Sequence, residues 1–459
     1  MRFVIAGGGV GGLATALAVA RAGHEAVVLE RDAVAADCEP LDAVDFARAG
    51  IPHYQQPHAF LPRGLRELHA VAPDVVGLLI DAGADAQDVS ARLSSFEAGD
   101  KDLVYLWVRR PLIEWALRRA AAVQPGIELR SGVEVGGLVR SNDGDSALGV
   151  GLVGGEVVRG DVIVDALGRY RPPQDWPRAE ATSHGTGVLY YTRYFALADG
   201  VEHLDGPLLG PRGDLGYMGF NTFRGDNRTY AVIVLAPVAD RELRALRDEA
   251  LWMRACSLMR PLDVMTAPEY ARPVTPVMAM GGLQNIERLG DPGVDRLVAV
   301  GDSLCHTDPA FSYGLSLSLA QARALADAAA DGADGLADRY RAAVCDETHE
   351  RFELACATDD ARARRWAGEP LDFSRRDGCY ELFAFAGAIA AAPHDDLVLR
   401  RTIGRIGLLD RTAVFDSDSE AQARVETIVG RLMQTPPAPP GPPREELLEC
   451  LVSSLSSLP

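Results

Sequence analysis

A chain of 459 residues, 47% hydrophobic and 24% charged, can fill two or three core-forming units of ~100–200 residues each. Its net charge of −19 argues against nucleic acid and anionic membrane surfaces, which attract Lys and Arg. The seven cysteines are scattered without a Cys-x-x-Cys, so they support neither a disulfide scaffold nor a zinc site and suit a reducing cytoplasm. No apolar run reaches the ~20 residues of a membrane span.

In chain order, Arg2-Phe3-Val4-Ile5-Ala6 reads as a short strand, followed by a turn in which Gly7, Gly9 and Gly12 form Gly-x-Gly-x-x-Gly. A helical run over 13–20 stops at Gly23, and a second apolar strand, Val27-Val28-Leu29, ends in the acid Glu30. Strand, glycine turn, helix, strand and terminal carboxylate in that order are the context of a dinucleotide site. Gly7 permits the turn, Gly9 admits a pyrophosphate and Gly12 lets helix and strand pack. The helix N-terminus offers N–H groups to phosphate and Glu30 offers an acceptor to ribose. Five glycines within 7–12 also speak against a signal peptide.

Residues 50–64 form a Pro- and His-rich loop with too few ligands for a metal, and a helix is predicted over 64–83. Pro111 opens a further helix through Ala121, followed by strands at 126–130 and 133–135 and a hairpin arm at 157–164. The last runs into Asp165-Ala166-Leu167-Gly168-Arg169. Aromatic and β-branched stretches at 187–197, 215–223 and 229–235 predict an antiparallel sheet, with a hairpin turn at Arg224–Arg228. A helix is predicted over 240–259. Strand 296–300 then presents Gly301-Asp302 at its carboxyl end, where open α/β sheets bind ligands. Pro309 and Gly314 lead into a helix from 316 to 330, residues 335–366 read as a charged helix, and a stiff Pro-rich linker over 436–443 precedes a short terminal helix.

Taken together, the motif around Gly7, Gly9, Gly12 and Glu30, the helix start Arg110-Pro111-Leu112-Ile113-Glu114, and Gly301-Asp302 with Pro309 and Gly314 resemble the FAD-dependent monooxygenases of the para-hydroxybenzoate hydroxylase type, in particular natural-product hydroxylases and epoxidases. The likeness covers about residues 1–330. It implies an α/β fold with a discontinuous, Rossmann-like FAD-binding domain of the glutathione-reductase type, an antiparallel substrate sheet and a helical C-terminal part. The implied division is 1–70, 100–175 and 276–332 for FAD, 71–99 for an insertion on the substrate side, 176–275 for the substrate sheet, 333–433 for helices and 434–459 for linker and tail. It also implies that Gly7, Gly9, Gly11, Gly12, Glu30, Arg31, Arg110, Val135, Asp165, Asp302, Pro309, Gly314 and Leu315 bind FAD. The implied reaction inserts one oxygen of O2 into an apolar or aromatic small molecule through a flavin C4a-(hydro)peroxide.

Three departures keep alternatives open. The middle motif reads Asp165-Ala166-Leu167-Gly168-Arg169 where the family has Asp-Gly, so the electron donor is either NAD(P)H or a separate flavin reductase. Leu315-Ser316-Leu317 replaces Gly-x-Asn, and the Trp-x-Trp-x-Ile-Pro signature of flavin-dependent halogenases is absent. A dehydrogenase or reductase, a halogenase-like oxidoreductase and a non-catalytic flavin-binding partner are the rival readings. His58 and His306 fall near the expected flavin, and neither is assigned as a base.

Overall fold

The computed structural model describes the chain except residues 36, 47, 49–50, 52, 170–171, 205–207, 209, 370–385, 436–437 and 456–459. A five-stranded parallel sheet sets the frame, in the order Leu297–Ala299, Val162–Asp165, Arg2–Ala6, Glu25–Glu30 and Ile127–Ser131. Between Arg2 at the start of one and Asp165 at the end of the other, its central strands are apolar and buried because both faces are covered. Helices Val10–Arg21, Arg110–Val123 and Tyr313–Ala329 pack on one side, and the small antiparallel sheet of Val135–Arg140, Ala147–Leu152 and Val157–Arg159 lies on the other. Strands from distant parts of the chain alternate in one sheet, which is the discontinuous arrangement expected.

A second sheet is antiparallel, with Arg212–Asp214, Gly219–Arg224, Thr229–Pro237, Val188–Leu197 and Ala271–Pro273 in order and Met278–Met280 alongside Val188–Leu197. The turn at 224–228 joins its central hairpin, with Asn227 and Arg228 at positive φ.

Several predicted elements differ. The helix over 64–83 is two helices, Pro62–Val71 and Pro73–Asp81, because Pro73 has no N–H to continue the first. That over 240–259 is a short 3-10 turn, Leu243–Arg247, then Glu249–Cys256. Asp248 starts the second by accepting hydrogen bonds from Ala250 N and Leu251 N, both at 3.0 Å. The arm at 157–164 breaks at Gly160, where a Cβ would come within 2.7 Å of Val4 Cγ2, and its halves join different sheets. Strand 215–223 begins only at Gly219. Beyond the 31-residue helix Leu336–Trp366 the described residues include helices Asp396–Ile406, Thr412–Ser417 and Ser419–Leu432, none of which carries a sequence motif.

The terminal helix, Arg444–Leu455, docks. Pro436 and Pro437 fall outside the described residues, but Arg260 N donates to Pro440 O (2.6 Å) and the Tyr217 hydroxyl to Pro442 O (2.9 Å). Arg444 pairs with Asp240 at 2.8 Å, and Leu447 and Leu451 are buried in the core of the antiparallel sheet beside Trp252. Two buried leucines are worth about 1.5–3 kcal/mol each, less the ordering entropy of the tail. Truncation after residue 437 is therefore expected to destabilise the chain by about 3 kcal/mol. A calorimetric melting temperature equal to that of the full chain would contradict this.

Candidate functional site

A cavity of ≈ 570 Å³ opens at the carboxyl ends of the parallel strands. The glycine turn, Glu30 and Arg31, Arg110, Val135 and the loop from Gly301 to Leu315 form its walls. The glycines divide into two kinds. At Gly7, with φ +113°, a Cβ would lie 2.2 Å from Ala166 O, and at Gly12 it would lie 1.9 Å from Gly7 O. These two are required by the packing of the protein itself. Gly9 is different. Its backbone is extended (φ −81°, ψ −171°), and the nearest atoms to an added Cβ are Ile51 Cδ1 at 3.8 Å and Arg110 Nη2 at 4.0 Å. Gly314 has similar room, with Asp302 Oδ1 at 3.9 Å. Both sit at helix N-termini on the cavity, and neither helix has an acidic residue in its first turn or a side-chain cap. Two uncapped positive dipole ends and an arginine meet in one electropositive cradle, which favours negative charge there.

A buried ion network holds this cradle from below. Glu30 Oε2 accepts from Gly8 N (3.0 Å) and from Arg48 Nη2 (2.8 Å), and its Oε1 accepts from Asp32 N (2.8 Å). Arg48 also binds Asp32 at 2.8 Å and Glu114 at 2.6 Å, and Glu114 in turn holds Arg110 Nε at 2.9 Å. Burial works against the Arg48 charge, but Glu114, Glu30 and Asp32 outweigh it and raise its pKa. Arg118, buried beneath the turn, donates to Gly8 O at 2.8 Å, and burial together with Arg48 lowers its pKa.

Three imidazoles share the cavity with Arg110 and Arg169. Arg110 Nη1 is 2.5 Å from His53 Nε2, and His58 Nδ1 donates to Gln56 O at 2.7 Å. Burial, then Arg110, drives His53 well down and His58 to about 3. Burial and Arg169 lower His306 against the pull of Asp302. All three rings are neutral at physiological pH. His58 therefore presents an unprotonated Nε2.

Of the predicted site residues, Gly7, Gly9, Gly11, Glu30, Arg31, Arg110, Val135, Asp302, Pro309, Gly314 and Leu315 all line the cavity. Gly12 lies behind it as a packing glycine. The Asp165 carboxylate also lies behind the wall. It accepts from Arg178 Nε (2.6 Å), Trp176 Nε1 (3.1 Å) and Ser303 Oγ (2.8 Å), while Ser303 Oγ accepts from Gly168 N (2.8 Å). Asp165 thus braces the middle motif against the Gly301-Asp302 turn. Sequence reading missed Arg48, Glu114, Arg118 and His53. Glu114 had a local signal in its i+4 spacing from Arg110, and His53 in the Pro- and His-rich loop 50–64, while Arg48 and Arg118 had none.

No family model matches the chain, and no curated protein does. Solved structures match at high probability. PqsL of Pseudomonas aeruginosa, described as a probable FAD-dependent monooxygenase, is 17% identical over 80% of this chain and 98% of its own, with TM-score 0.57. The flavin-dependent brominase Bmp2 is 16% identical over 92% of this chain and 100% of its own, with TM-score 0.60. The Diels-Alderase PyrE3 is 18% identical over 89% of this chain and 80% of its own, with TM-score 0.57. The chain shares their fold. Among the described residues no helix is long and apolar enough to cross a membrane, and no group of three His, Cys, Asp or Glu could hold a metal.

Proposed function

We propose that the cavity binds FAD and that the chain is an FAD-dependent monooxygenase, hydroxylating or epoxidising an apolar or aromatic small molecule. The observation that carries this is the unexplained room at Gly9 beside Arg110, paired with the second uncapped helix start at Gly314. In this reading the amides at Val10 and Gly11 and the Arg110 guanidinium hold the pyrophosphate. Glu30 accepts from a ribose hydroxyl, Asp302 accepts from the sugar-alcohol chain, and the Gly314-Leu315 amides meet the electron-rich edge of the ring. Bound FAD supplies the reaction with O2. The protein excludes water with the buried Val188, Tyr190, Ile233, Leu235 and Leu283 cluster, which reaches the cavity through Met280. Substrate positioning against that wall supplies most of what oxygen transfer requires. The depressed His58 can accept a hydrogen bond from a substrate hydroxyl but is too weak a base to take its proton, and no general base is assigned.

The Asp165 carboxylate is occupied by Arg178, Trp176 and Ser303, which favours electrons arriving from a separate flavin reductase over direct NAD(P)H use. Flavin absorbance of the purified protein, followed anaerobically after adding NADPH, tests both points. Retained flavin that bleaches only when a reductase is added supports the two-component reading, and fast bleaching by NADPH alone replaces it. Failure to bind FAD on reconstitution overturns the proposal. Turnover without O2 consumption would instead favour a dehydrogenase. Asp302→Ala is expected to weaken FAD binding about tenfold or more, the loss of about 1.4 kcal/mol or more, in a fluorescence titration.

A further inference from the structure

The loop that closes the cavity, Thr307 to Ser312, is tied from behind by two carboxyl groups. Asp308 is fully buried and contributes to the cavity wall, and Asp359, on Leu336–Trp366, is 1% exposed. The two are in hydrogen-bond reach of each other. Arg362 meets both through one nitrogen, with Nη2 at 2.6 Å from Asp308 Oδ2 and in contact with Asp359 Oδ1. Asn285, on strand Gln284–Glu287, completes the cluster. Its Nδ2 donates to Asp359 Oδ2 at 2.8 Å and its Oδ1 accepts from Asp308 N at 2.6 Å. Tyr190, from the antiparallel sheet, donates its hydroxyl to Asp308 Oδ1.

The charges do not balance if both acids ionise. One guanidinium faces two carboxylates. Burial raises the Tyr190 hydroxyl well above its ordinary pKa and keeps the nearby Cys356 thiol protonated as well. Asp360, the next acid on the helix, pairs with His184 at 3.1 Å on the exposed side. A second buried negative charge within hydrogen-bond distance of the first is expensive, and holding one proton between them removes it. Consistent with this, burial and the neighbouring Asp308 push Asp359 up to about 9, while burial also works against the Asp308 charge but Arg362 and hydrogen bonds from Asp359 and Tyr190 outweigh it and hold Asp308 low.

The same aspartate shapes the cavity. Asp308 Oδ1 accepts from Ala310 N at 3.0 Å, starting the turn Pro309–Phe311. Ser312 then takes a left-handed conformation (φ 56°) and Tyr313 begins the helix that carries Gly314. We propose that Asp308 and Asp359 share one proton, and that this proton fastens the cavity loop 307–312 to the long C-terminal helix, so that the cofactor site loosens when the proton leaves. Asp359 is a positioning residue, acting through Asp308. The sign follows from linkage. Between the ordinary aspartate range and about pH 9 the folded chain keeps a proton that the unfolded chain has lost, so the fastening is strongest in acid, weakens as pH rises and has lost its proton-dependent part by about pH 9.

Three measurements on the full chain test it. The infrared spectrum at neutral pH should show a protonated carboxyl band that is absent from Asp359→Asn and lost in the parent above about pH 9. A parent spectrum without that band overturns the shared proton. Without added flavin, protease cleavage within 307–312 should rise at least about tenfold as pH goes from about 6 to about 9 in the parent and level off beyond, while staying low in Asp359→Asn, whose amide carries no proton to release. Equal alkaline cleavage in both overturns the fastening. The link to the cofactor site rests on the reading of the cavity as an FAD site, and FAD affinity should show the same contrast, with Asp359→Ala weak at every pH. Failure of every variant to bind FAD would refute that reading while the spectrum and the cleavage still decide the shared proton and the fastening.

Discussion

Gly9→Ala should leave the melting temperature of the chain measured without FAD within a few degrees of the parent and lower its FAD affinity at least about tenfold. The methyl group has 3.8 Å to its nearest neighbour, Ile51 Cδ1, and the backbone there is one that any residue adopts, so folding has nothing to lose. What the methyl occupies is the space beside Arg110 assigned to the pyrophosphate. Gly12→Ala should behave in the opposite way. Its methyl would sit 1.9 Å from Gly7 O, a backbone atom that cannot move without breaking the turn. Overpacking of this kind takes about 1–3 kcal/mol and more where nothing can yield. Thermal unfolding without added flavin, compared with a fluorescence titration of FAD, separates the two. Unchanged FAD affinity in Gly9→Ala would remove the cofactor from this turn.

Arg48→Met should be the most damaging single change in the site. The guanidinium is almost fully buried and is the shared partner of Glu30, Asp32 and Glu114. Removing one member of a buried ion cluster strands the rest, an effect of about 3–5 kcal/mol. A second substitution, Glu114→Gln, removes one stranded charge and should restore part of the loss. Urea unfolding of the parent, both single variants and the double variant gives the coupling. Additive losses would show that Arg48 and Glu114 do not act together.

Arg48 also marks the limit of what the sequence discloses. The turn from Gly7 to Gly12 and the acid at Glu30 are legible because a strand, turn and helix within thirty residues carry their own geometric demands. Gly301-Asp302 is legible for the same reason, and the expected parallel sheet and aromatic antiparallel sheet both form. Arg48 lies in an irregular segment, and its partners are spread from residue 30 to 114, so no spacing announces it. The Asp308–Asp359 pair is similarly invisible, since its members belong to a loop and to a helix that reads only as charged. Asp165 shows the converse. A motif position read as a cofactor contact also has a structural task that its spacing does not announce, since its carboxylate joins two loops of the wall through Arg178, Trp176 and Ser303. Helix breaks at Pro73 and Asp248 were written in the sequence as a proline and a capping acid, and hydrophobic composition alone hides them.

The interleaved parallel sheet has a consequence for how the chain is made. Strand Arg2–Ala6 leaves the ribosome early, yet its neighbour Val162–Asp165 and the edge strand Leu297–Ala299 follow far behind. At ~5–20 residues per second the sheet stays unfinished for on the order of 15–60 s. Through that interval the nascent chain carries apolar strands with unpaired edges, while the whole antiparallel sheet is synthesised between them. Slow translation lengthens this exposure and a chaperone that covers the edge shortens it.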